Sequence, residues 1–226
     1  MKKILKKIVL AVPFFLYYYN LKRAIPHANF LSFLNYKLFQ KQPYWVVDKS
    51  SEIKYPENIF VGKNSLIGTR PRCYIQGYGG IYFGNYIQIG PNAAVMSVNH
   101  ETYDQRKASL KSVIIDDYCW IGTGAIVLPG VILGKRTIVA AGAVVTKSFK
   151  EGYCIIGGNP AKVIRTLDKE QFLHYEEESQ YYGYVEKTKF ESKYKKEYLR
   201  SISELIVKNS IDPDFAKFFF ERIIQE

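Results

Sequence analysis

Apolar residues recur at every sixth position through the middle of the chain. A helix repeats every 3.6 residues and a strand every 2, so neither gives a strict spacing of six. A six-residue repeat predicts a parallel β-helix, in which three short faces close one triangular coil of eighteen residues. The positions with this spacing are Val61, Ile67 and Cys73, then Phe83, Ile89 and Val95, and then Ile115, Ile121, Val127, Leu133, Val139 and Val145.

Small residues accompany the apolar positions in a fixed phase. Glycine comes directly after many of them, where it allows the chain to bend or to approach the neighbouring coil closely. These glycines are Gly62, Gly68, Gly84, Gly90, Gly122 and Gly134. A small side chain follows four positions after the apolar residue, which suits an interior where stacked coils meet. This set comprises Ser65, Ala93, Cys119, Ala125, Thr137 and Ala143.

The repeat is interrupted twice between residues 59 and 166, the predicted limits of the coil. The spacing from Cys73 to Phe83 is ten, and the glycine-rich residues 77–80 supply a turn for the extra length. The spacing from Val95 to Ile115 is twenty, so part of this stretch must leave the coil. Residues 101–112 are polar and charged, which predicts a long surface loop there.

The two ends of the chain follow other patterns. Residues 1–58 form a basic, apolar head that we expect to be helical. Its apolar run, residues 8–19, is shorter than the roughly twenty residues of a membrane span. The head fits a helix at a membrane surface as well as one that caps the coil. Residues 167–226 predict a helical extension, with helices over 168–179, 189–206 and 215–224; the first begins at the capping-box spacing of Asp168 and Gln171.

Net charge and cysteine content indicate which partners and which cellular compartment to expect. The 226 residues have a net charge of +11. Residues 1–49 contain nine Lys or Arg and one Asp, a charge of +8. No recognised nucleic-acid motif accompanies this charge, so we expect an anionic membrane surface or an anionic cofactor as the partner, and no nucleic acid. Three cysteines without metal-type spacing predict reduced, buried thiols in a cytoplasmic protein.

Four stretches of the sequence together resemble the hexapeptide-repeat O-acetyltransferases. They are residues 99–101 (NHE), 116–122 (DDYCWIG), 140–147 (AAGAVVTK) and 158–165 (GNPAKVIR). That family includes maltose and galactoside acetyltransferases and enzymes that acetylate O-antigen and capsule sugars. The resemblance covers about residues 59–166. It implies an all-β core that is a left-handed parallel β-helix, assembled as a homotrimer, with acetyl-CoA in the groove between neighbouring prisms and no metal.

One histidine is the candidate catalytic base. Acetyl transfer to a hydroxyl needs a group that takes the hydroxyl proton, and imidazole titrates near neutral pH. Of the three histidines, only His100 lies within the repeat, at the start of the long loop. Asn99, Glu101 and Asp104 are candidates for orienting His100 or for binding the acceptor; equally, the two carboxylates fit solvated loop charges.

The resemblance also implies which residues bind acetyl-CoA. Thr123, Ala141 and Thr146 would line the pantetheine arm, Lys147 and Arg165 would meet the nucleotide end, and Trp120 would support the cofactor or the acceptor. Repeat packing explains Thr123 and Ala141 as well, ordinary surface charge explains Lys147 and Arg165, and contact with a neighbouring chain explains Trp120.

The predicted function is acetyl-CoA-dependent O-acetylation of a sugar hydroxyl in surface polysaccharide biosynthesis. No cysteine or serine lies in an evident nucleophile motif, so direct attack is expected. Peripheral contact with the inner membrane face would fit the basic head. N-acetylation of an amino sugar or sugar nucleotide is the main alternative, and a non-catalytic trimeric scaffold is another. A carbonic anhydrase on the same coil would need about three histidines around zinc, a set that His27, His100 and His174 do not suggest.

Overall fold

The computed structural model of the protein describes residues 13–26, 28–39 and 43–196, with Arg200, Lys217, Phe218 and Glu221 besides. Within these residues the chain winds into a coil of short parallel strands. Where the repeat is regular, each residue pairs with the one eighteen positions later, as Trp120 does with Ile138 and Ile126 with Val144. The parallel coil expected from the spacing of six is confirmed, and it fits a left-handed β-helix.

Three sheets form the sides of the prism. The first contains β1 (Glu52–Lys54), β3 (Tyr74–Gln76), β6 (Ala94–Met96), β11 (Ile126–Val127) and β14 (Val144–Val145). The second contains β2 (Ile59–Val61), β4 (Ile81–Phe83), β9 (Val113–Ile115) and β12 (Ile132–Leu133). The third contains β5 (Gln88–Ile89), β10 (Trp120–Ile121), β13 (Ile138–Val139), β15 (Cys154–Gly158) and β16 (Ala161–Thr166). Only β16, which folds back on β15, runs antiparallel within these three sheets.

Three corners join the sheets, and we number them in chain order. Corner one leads from the third sheet to the first, corner two from the first to the second, and corner three from the second to the third. Corner one contains residues 90–92, 122–124 and 140–142; corner two contains 97, 111–112, 128–130 and 146–148; corner three contains 84–86, 116–118, 134–136 and 150–153. Each corner is therefore a column of turns stacked along the coil.

The spacing of six arises because every sixth side chain points into the prism. Ile121, Val127 and Leu133 are fully buried in successive sides of one coil. Glycine follows the apolar residue because the next coil passes directly over it: a Cβ on Gly122 would lie 2.7 Å from the Ala141 backbone nitrogen. The predicted close approach of neighbouring coils is confirmed at this position.

Two helices and a short extended segment cap the N-terminal end of the coil. The helices are α1 (Pro13–Ala24) and α2 (Phe30–Phe39). The buried Tyr44 follows them, and its hydroxyl donates to the Val61 carbonyl at 3.0 Å and accepts from the Val61 amide at 2.8 Å. The coil itself starts before residue 59, since β1 already pairs in parallel with β3. Among the described residues, no helix has both the length and the apolar character to cross a bilayer.

Residues 168–186, which we call the strap, run back along corner three from the C-terminal to the N-terminal end of the coil. Leu167 donates to the Tyr153 carbonyl, and Tyr181 donates to the Asn64 side chain near the other end. The prediction of a helix over 168–179 is wrong. Asp168 does cap Glu170 at 3.0 Å, but only a 3-10 turn, Lys169–Gln171, follows.

The strap is extended because its side chains and backbone bind the coil at intervals. The Arg136 guanidinium carbon lies 4.4 Å from the ring centres of both Tyr118 and Phe172. The Tyr118 hydroxyl donates to the Tyr175 carbonyl at 2.9 Å, and the Tyr86 hydroxyl accepts from the Glu177 amide at 3.1 Å. A helix rises only about 1.5 Å per residue and would not reach these successive partners.

The strap ends in a hairpin under the head. Strands β17 (Tyr181–Tyr182) and β18 (Val185–Glu186) lead into α3 (Lys187–Lys189) and a π-helical turn, Phe190–Tyr194. Only the beginning of the predicted helix 189–206 is described, and most of the predicted helix 215–224 lies outside the described residues.

Candidate active site

A β-hairpin leaves the coil at corner two and carries the candidate base. It consists of β7 (Val98–His100) and β8 (Ala108–Leu110), with His100 opposite Ala108. The predicted excursion is present, but its limits differ from 101–112. The hairpin starts at Val98, and Lys111 already belongs to the coil, where its amide donates to the Ser97 carbonyl at 3.0 Å.

The His100 ring is exposed and held through one nitrogen. Its Nδ1 lies 2.6 Å from the Gln105 carbonyl oxygen. A carbonyl has no proton to give, so Nδ1 carries the hydrogen of this bond and Nε2 of the neutral ring keeps its lone pair. The arrangement presents Nε2 as a proton acceptor at the edge of the hairpin. The neighbouring Asn99 side chain accepts from the His100 amide at 2.9 Å.

The Asp104 carboxylate of the hairpin has another partner than His100. Asp104 binds the Arg106 guanidinium at 2.8 and 3.1 Å, and this bond holds the pKa of Asp104 below its ordinary value. The Glu101 amide donates to the Lys107 carbonyl at 3.0 Å. The expectation that Glu101 or Asp104 orients the ring thus differs from the structure, in which Gln105 does so. A backbone carbonyl leaves no signal in residue type, so the sequence could not indicate it.

Two of the predicted cofactor residues lie at corner one. Thr123 and Ala141 are exposed in successive coils, and the Gly142 amide donates to the Thr123 carbonyl at 2.9 Å. A Cβ on Gly124 or on Gly142 would meet nothing within 4 Å. Corner one is therefore an open edge of backbone and small side chains, and a thin acyl chain fits beside it.

Thr146 and Lys147 lie at corner two, on the same column of turns as the hairpin. The column is continuous, because Lys111 donates to Ser97 and Gly130 donates to the Lys111 carbonyl at 3.2 Å. Thr146 and Lys147 are exposed two coils beyond the hairpin, which at the usual strand separation is about 10 Å along the coil axis.

Trp120 and Arg165 lie on the third sheet, across the prism from corner two. Trp120 is 54% exposed and pairs with Gln88 and Ile138, while Arg165 pairs with Ile155 at the outer strand β16. Within one chain, the structure brings His100 near the column of Thr146 and Lys147. It leaves Trp120, Thr123, Ala141 and Arg165 on other parts of the prism.

Besides the hairpin histidine, the described residues contain neither an exposed thiol nor a metal site. Cys73, Cys119 and Cys154 are free and buried, as predicted, and burial raises the pKa of the Cys119 thiol. Among the described residues, no group of three or more His, Cys, Asp or Glu is placed to hold a metal. His174 lies on the strap, 6.5 Å from the Tyr118 ring, whereas His27 falls outside the described residues.

One family model matches part of the coil. Residues 112–147 fit the family model for the bacterial transferase hexapeptide (six repeats). The coil carries the hexapeptide repeat over these residues. Its strands β10 to β14, with the corners between them, all lie within those residues.

Two relatives of this chain are named acetyltransferases. A galactoside O-acetyltransferase of Lactococcus lactis subsp. lactis is 35% identical over 100 residues, which are 42% of this chain and 48% of the relative. A putative acetyltransferase of Schizosaccharomyces pombe is 34% identical over 136 residues, 56% of this chain and 65% of the relative. The chain thus spans about half of the first relative and less than two thirds of the second.

A solved structure supports the fold. The hexapeptide-repeat containing acetyltransferase from Vibrio cholerae O1 biovar eltor, crystallised in complex with acetyl coenzyme A, superposes with a TM-score of 0.52 at 23% identity. The superposition covers 66% of this chain and 86% of that one. At this identity the likeness shows that the coil and that protein share a fold.

Proposed function

We propose that the protein is an acetyl-CoA-dependent O-acetyltransferase that acts on a sugar hydroxyl. The observation that carries this proposal is the bond from His100 Nδ1 to the Gln105 carbonyl at 2.6 Å, which leaves Nε2 as an exposed proton acceptor. Two relatives of this chain are named acetyltransferases, one of them for a galactoside, and they support the same chemistry.

In the proposed reaction His100 acts as the general base. Acetyl-CoA supplies the acetyl group as a thioester. His100 Nε2 takes the proton of the acceptor hydroxyl while the hydroxyl oxygen attacks, so that a carbon–oxygen bond forms and the carbon–sulfur bond breaks. CoA leaves as the thiolate, which takes the proton from His100 and becomes the free thiol. The Gln105 carbonyl stabilises the ring that has become charged, because Nδ1–H then donates a charge-assisted hydrogen bond.

The open edge of corner one fits the pantetheine arm. In this proposal the arm lies along Thr123 and Ala141, where small side chains and glycine leave room. In the homotrimer proposed below, corner two of the neighbouring copy faces this edge, so that its Thr146 continues along the arm. Lys147 and Arg165 meet the phosphates of the nucleotide, and Trp120 packs beside the cofactor or the acceptor.

The proposed site is shared between neighbouring copies in a homotrimer. In one chain His100 leaves corner two, whereas Thr123, Ala141 and Trp120 lie at corner one and on the third sheet. A second copy placed with its corner one beside the hairpin would bring the two halves together. This separation is the structural support for the trimer.

The acceptor is proposed to be a sugar of a surface glycan or of its precursor, such as O-antigen or capsule. We place the reaction in the cytoplasm, since Cys73, Cys119 and Cys154 are all free thiols. Transfer to an amino sugar would use the same base and cofactor, so matched pairs of hydroxyl and amino acceptors decide between the two reactions.

The test is release of free thiol from acetyl-CoA with a panel of sugars, amino sugars and glycan precursors. With a hydroxyl acceptor, His100→Ala is expected to lower turnover by about 10²- to 10⁴-fold, the usual contribution of a general base. Arg106→Ala, which changes an exposed side chain of the same hairpin, serves as the control and should retain more activity. If acetyl transfer occurs only to amines, the protein is an N-acetyltransferase and the proposed O-acetylation is wrong. Absence of acetyl-CoA binding would overturn the enzyme proposal in favour of a scaffold.

A further inference from the structure

The head presents apolar side chains to solvent on both of its helices. Six large apolar residues of α1 and α2 are exposed, and we call them the head patch: Phe15, Leu16, Tyr19, Phe30, Leu31 and Leu38. Leu31 is 72% exposed and Leu38 65%. Singly exposed apolar residues are normal, but a group on one small element marks an interaction surface.

The members of the head patch adjoin one another. Phe15 and Tyr19 are four residues apart and so share a face of α1. The Phe15 ring stacks on the Phe30 ring, with 6.2 Å between centres and an angle of 1°, which joins α1 to the start of α2. Leu31 and Leu38 are seven residues apart and lie on one face of α2.

The opposite face of the head is occupied by the protein itself. Tyr17 donates to the Tyr184 carbonyl at 2.8 Å, and Phe33 is fully buried with its ring 6.4 Å from that of Tyr184. The head patch therefore points away from the coil, at the N-terminal end of the prism.

The charge of the head selects the partner. Residues 1–49 contain nine Lys or Arg against one Asp, and four of the lysines, Lys2, Lys3, Lys6 and Lys7, come before α1 in the sequence. A second copy of a head with a charge of +8 would be repelled, whereas an anionic surface would be attracted. Aromatic and leucine side chains beside clustered cations are typical of segments that lie at a lipid–water interface.

We infer that the head patch docks on an anionic lipid bilayer, with the apolar side chains in the headgroup region and the net positive charge of residues 1–49 attracting the bilayer. This inference is independent of the proposed reaction, because the head patch contains none of the proposed site residues. The whole protein binds end-on, with the coil axis rising from the membrane.

The first test is co-sedimentation of the full chain with vesicles of phosphatidylglycerol and phosphatidylcholine, and with vesicles of phosphatidylcholine alone. We expect binding to the anionic vesicles that weakens in high salt, and binding about tenfold weaker or more for Leu31→Glu/Leu38→Glu. The matched control is Leu173→Glu, since Leu173 is 84% exposed on the strap, away from the head. This control should bind like the wild type.

A second variant keeps the apolar character and so avoids any loss of folding. Leu31→Trp should show a blue-shifted emission with anionic vesicles, while Leu173→Trp should not. Absence of vesicle binding, equal binding to neutral vesicles, or unchanged binding of Leu31→Glu/Leu38→Glu would each overturn the inference. A smaller oligomer for that double variant would assign the head patch to contact between copies instead.

Discussion

Corner two and corner three are turns of the same coil, yet they serve opposite purposes. At corner two the chain leaves the coil for thirteen residues, Val98–Leu110, and places an exposed histidine on the resulting hairpin. At corner three it stays close to the coil, and the strap covers the turns through edge-on aromatic contacts and through Arg136, which lies over the rings of Tyr118 and Phe172. The difference shows that a regular repeat fixes the core but leaves each corner free to carry chemistry or to close the fold.

The largest expected effect comes from refolding two inactive variants together. This experiment tests whether corner two of one copy and corner one of another form a single site. His100→Ala removes the base, and Ala141→Tyr fills the open edge of corner one, so each variant alone should lose about 10²-fold or more of its activity. If neighbouring copies share the site, refolding the two variants together should restore about a quarter of the sites, because each intact site needs one good half from each of two copies.

Thiol release measures this recovery. The control is His100→Ala refolded together with Arg106→Ala/His100→Ala, a mixture in which no intact base exists. Absence of recovery in the first mixture would place the whole site within one chain.

A pair of glycine substitutions compares the packing of the two corners. A Cβ on Gly134, at corner three, would lie 2.6 Å from the Gly152 backbone nitrogen, so Gly134→Ala should cost about 2–3 kcal/mol of unfolding free energy. Gly130, at corner two, has a φ of +84°, but the nearest atom to its Cβ is a Lys111 side-chain carbon at 3.4 Å. Gly130→Ala should cost only the backbone strain of about 1 kcal/mol.

Urea unfolding of both variants provides the measurement. An equal loss of stability in the two proteins would contradict the view that corner three is packed more tightly against its neighbouring coil.

Replacing one arginine at each corner compares how much the two side chains contribute to the free energy of unfolding. Arg136→Met loses its contacts with the rings of Tyr118 and Phe172 and a 3.0 Å bond to the Leu173 carbonyl, so it should cost about 1–2 kcal/mol. Arg106→Met loses an exposed pair with Asp104 and should leave the free energy of unfolding almost unchanged, because solvent screens such a pair.

Limited proteolysis reads out the same pair of variants locally. Cleavage within residues 168–179 should accelerate for Arg136→Met only. Equal cleavage in both would show that the strap does not depend on this arginine.

The smallest of the expected effects is a fall in the free energy of unfolding at alkaline pH, which arises at corner three. Burial raises the pKa of Tyr118 to about 12, against about 10 in an unfolded chain. The folded state then holds the phenolic proton when the unfolded state has lost it, so the free energy of unfolding falls between about pH 10 and pH 12.

Urea unfolding across this range should show a shallower fall for Tyr118→Phe than for the wild type. Parallel slopes would contradict the assignment to Tyr118. The variant also loses the hydroxyl bond to the Tyr175 carbonyl, which lowers its stability by about 1 kcal/mol at neutral pH.

The sequence was sufficient for the coil because its packing rule is local. Each coil repeats the same contact, so Ile121, Val127 and Leu133 indicate their own burial through spacing alone. The loop with His100 could be found for the same reason, since a break in a strict spacing marks an insertion.

The strap could not be predicted because its conformation depends on distant partners. Asp168 and Gln171 have a capping pattern, and Asp168 does cap the turn, but Tyr86, Tyr118 and Arg136 then hold the chain extended. Contact across such sequence distances overrides local helix signals. The Gln105 carbonyl was missed for a different reason, because the backbone of any residue would serve.

The strap also has a consequence for the order in which the protein is made. Tyr44 packs near Phe190, with 5.5 Å between ring centres, although some 146 residues separate them along the chain. A ribosome extends the chain from its N-terminus, so the coils can stack one after another as they emerge. The cap over the first coil is completed only when nearly the whole chain has been synthesised. The nascent protein therefore lacks the late part of this cap until residue 190 has emerged, and a chain cut off before residue 181 keeps only the part made by α1, α2 and Tyr44.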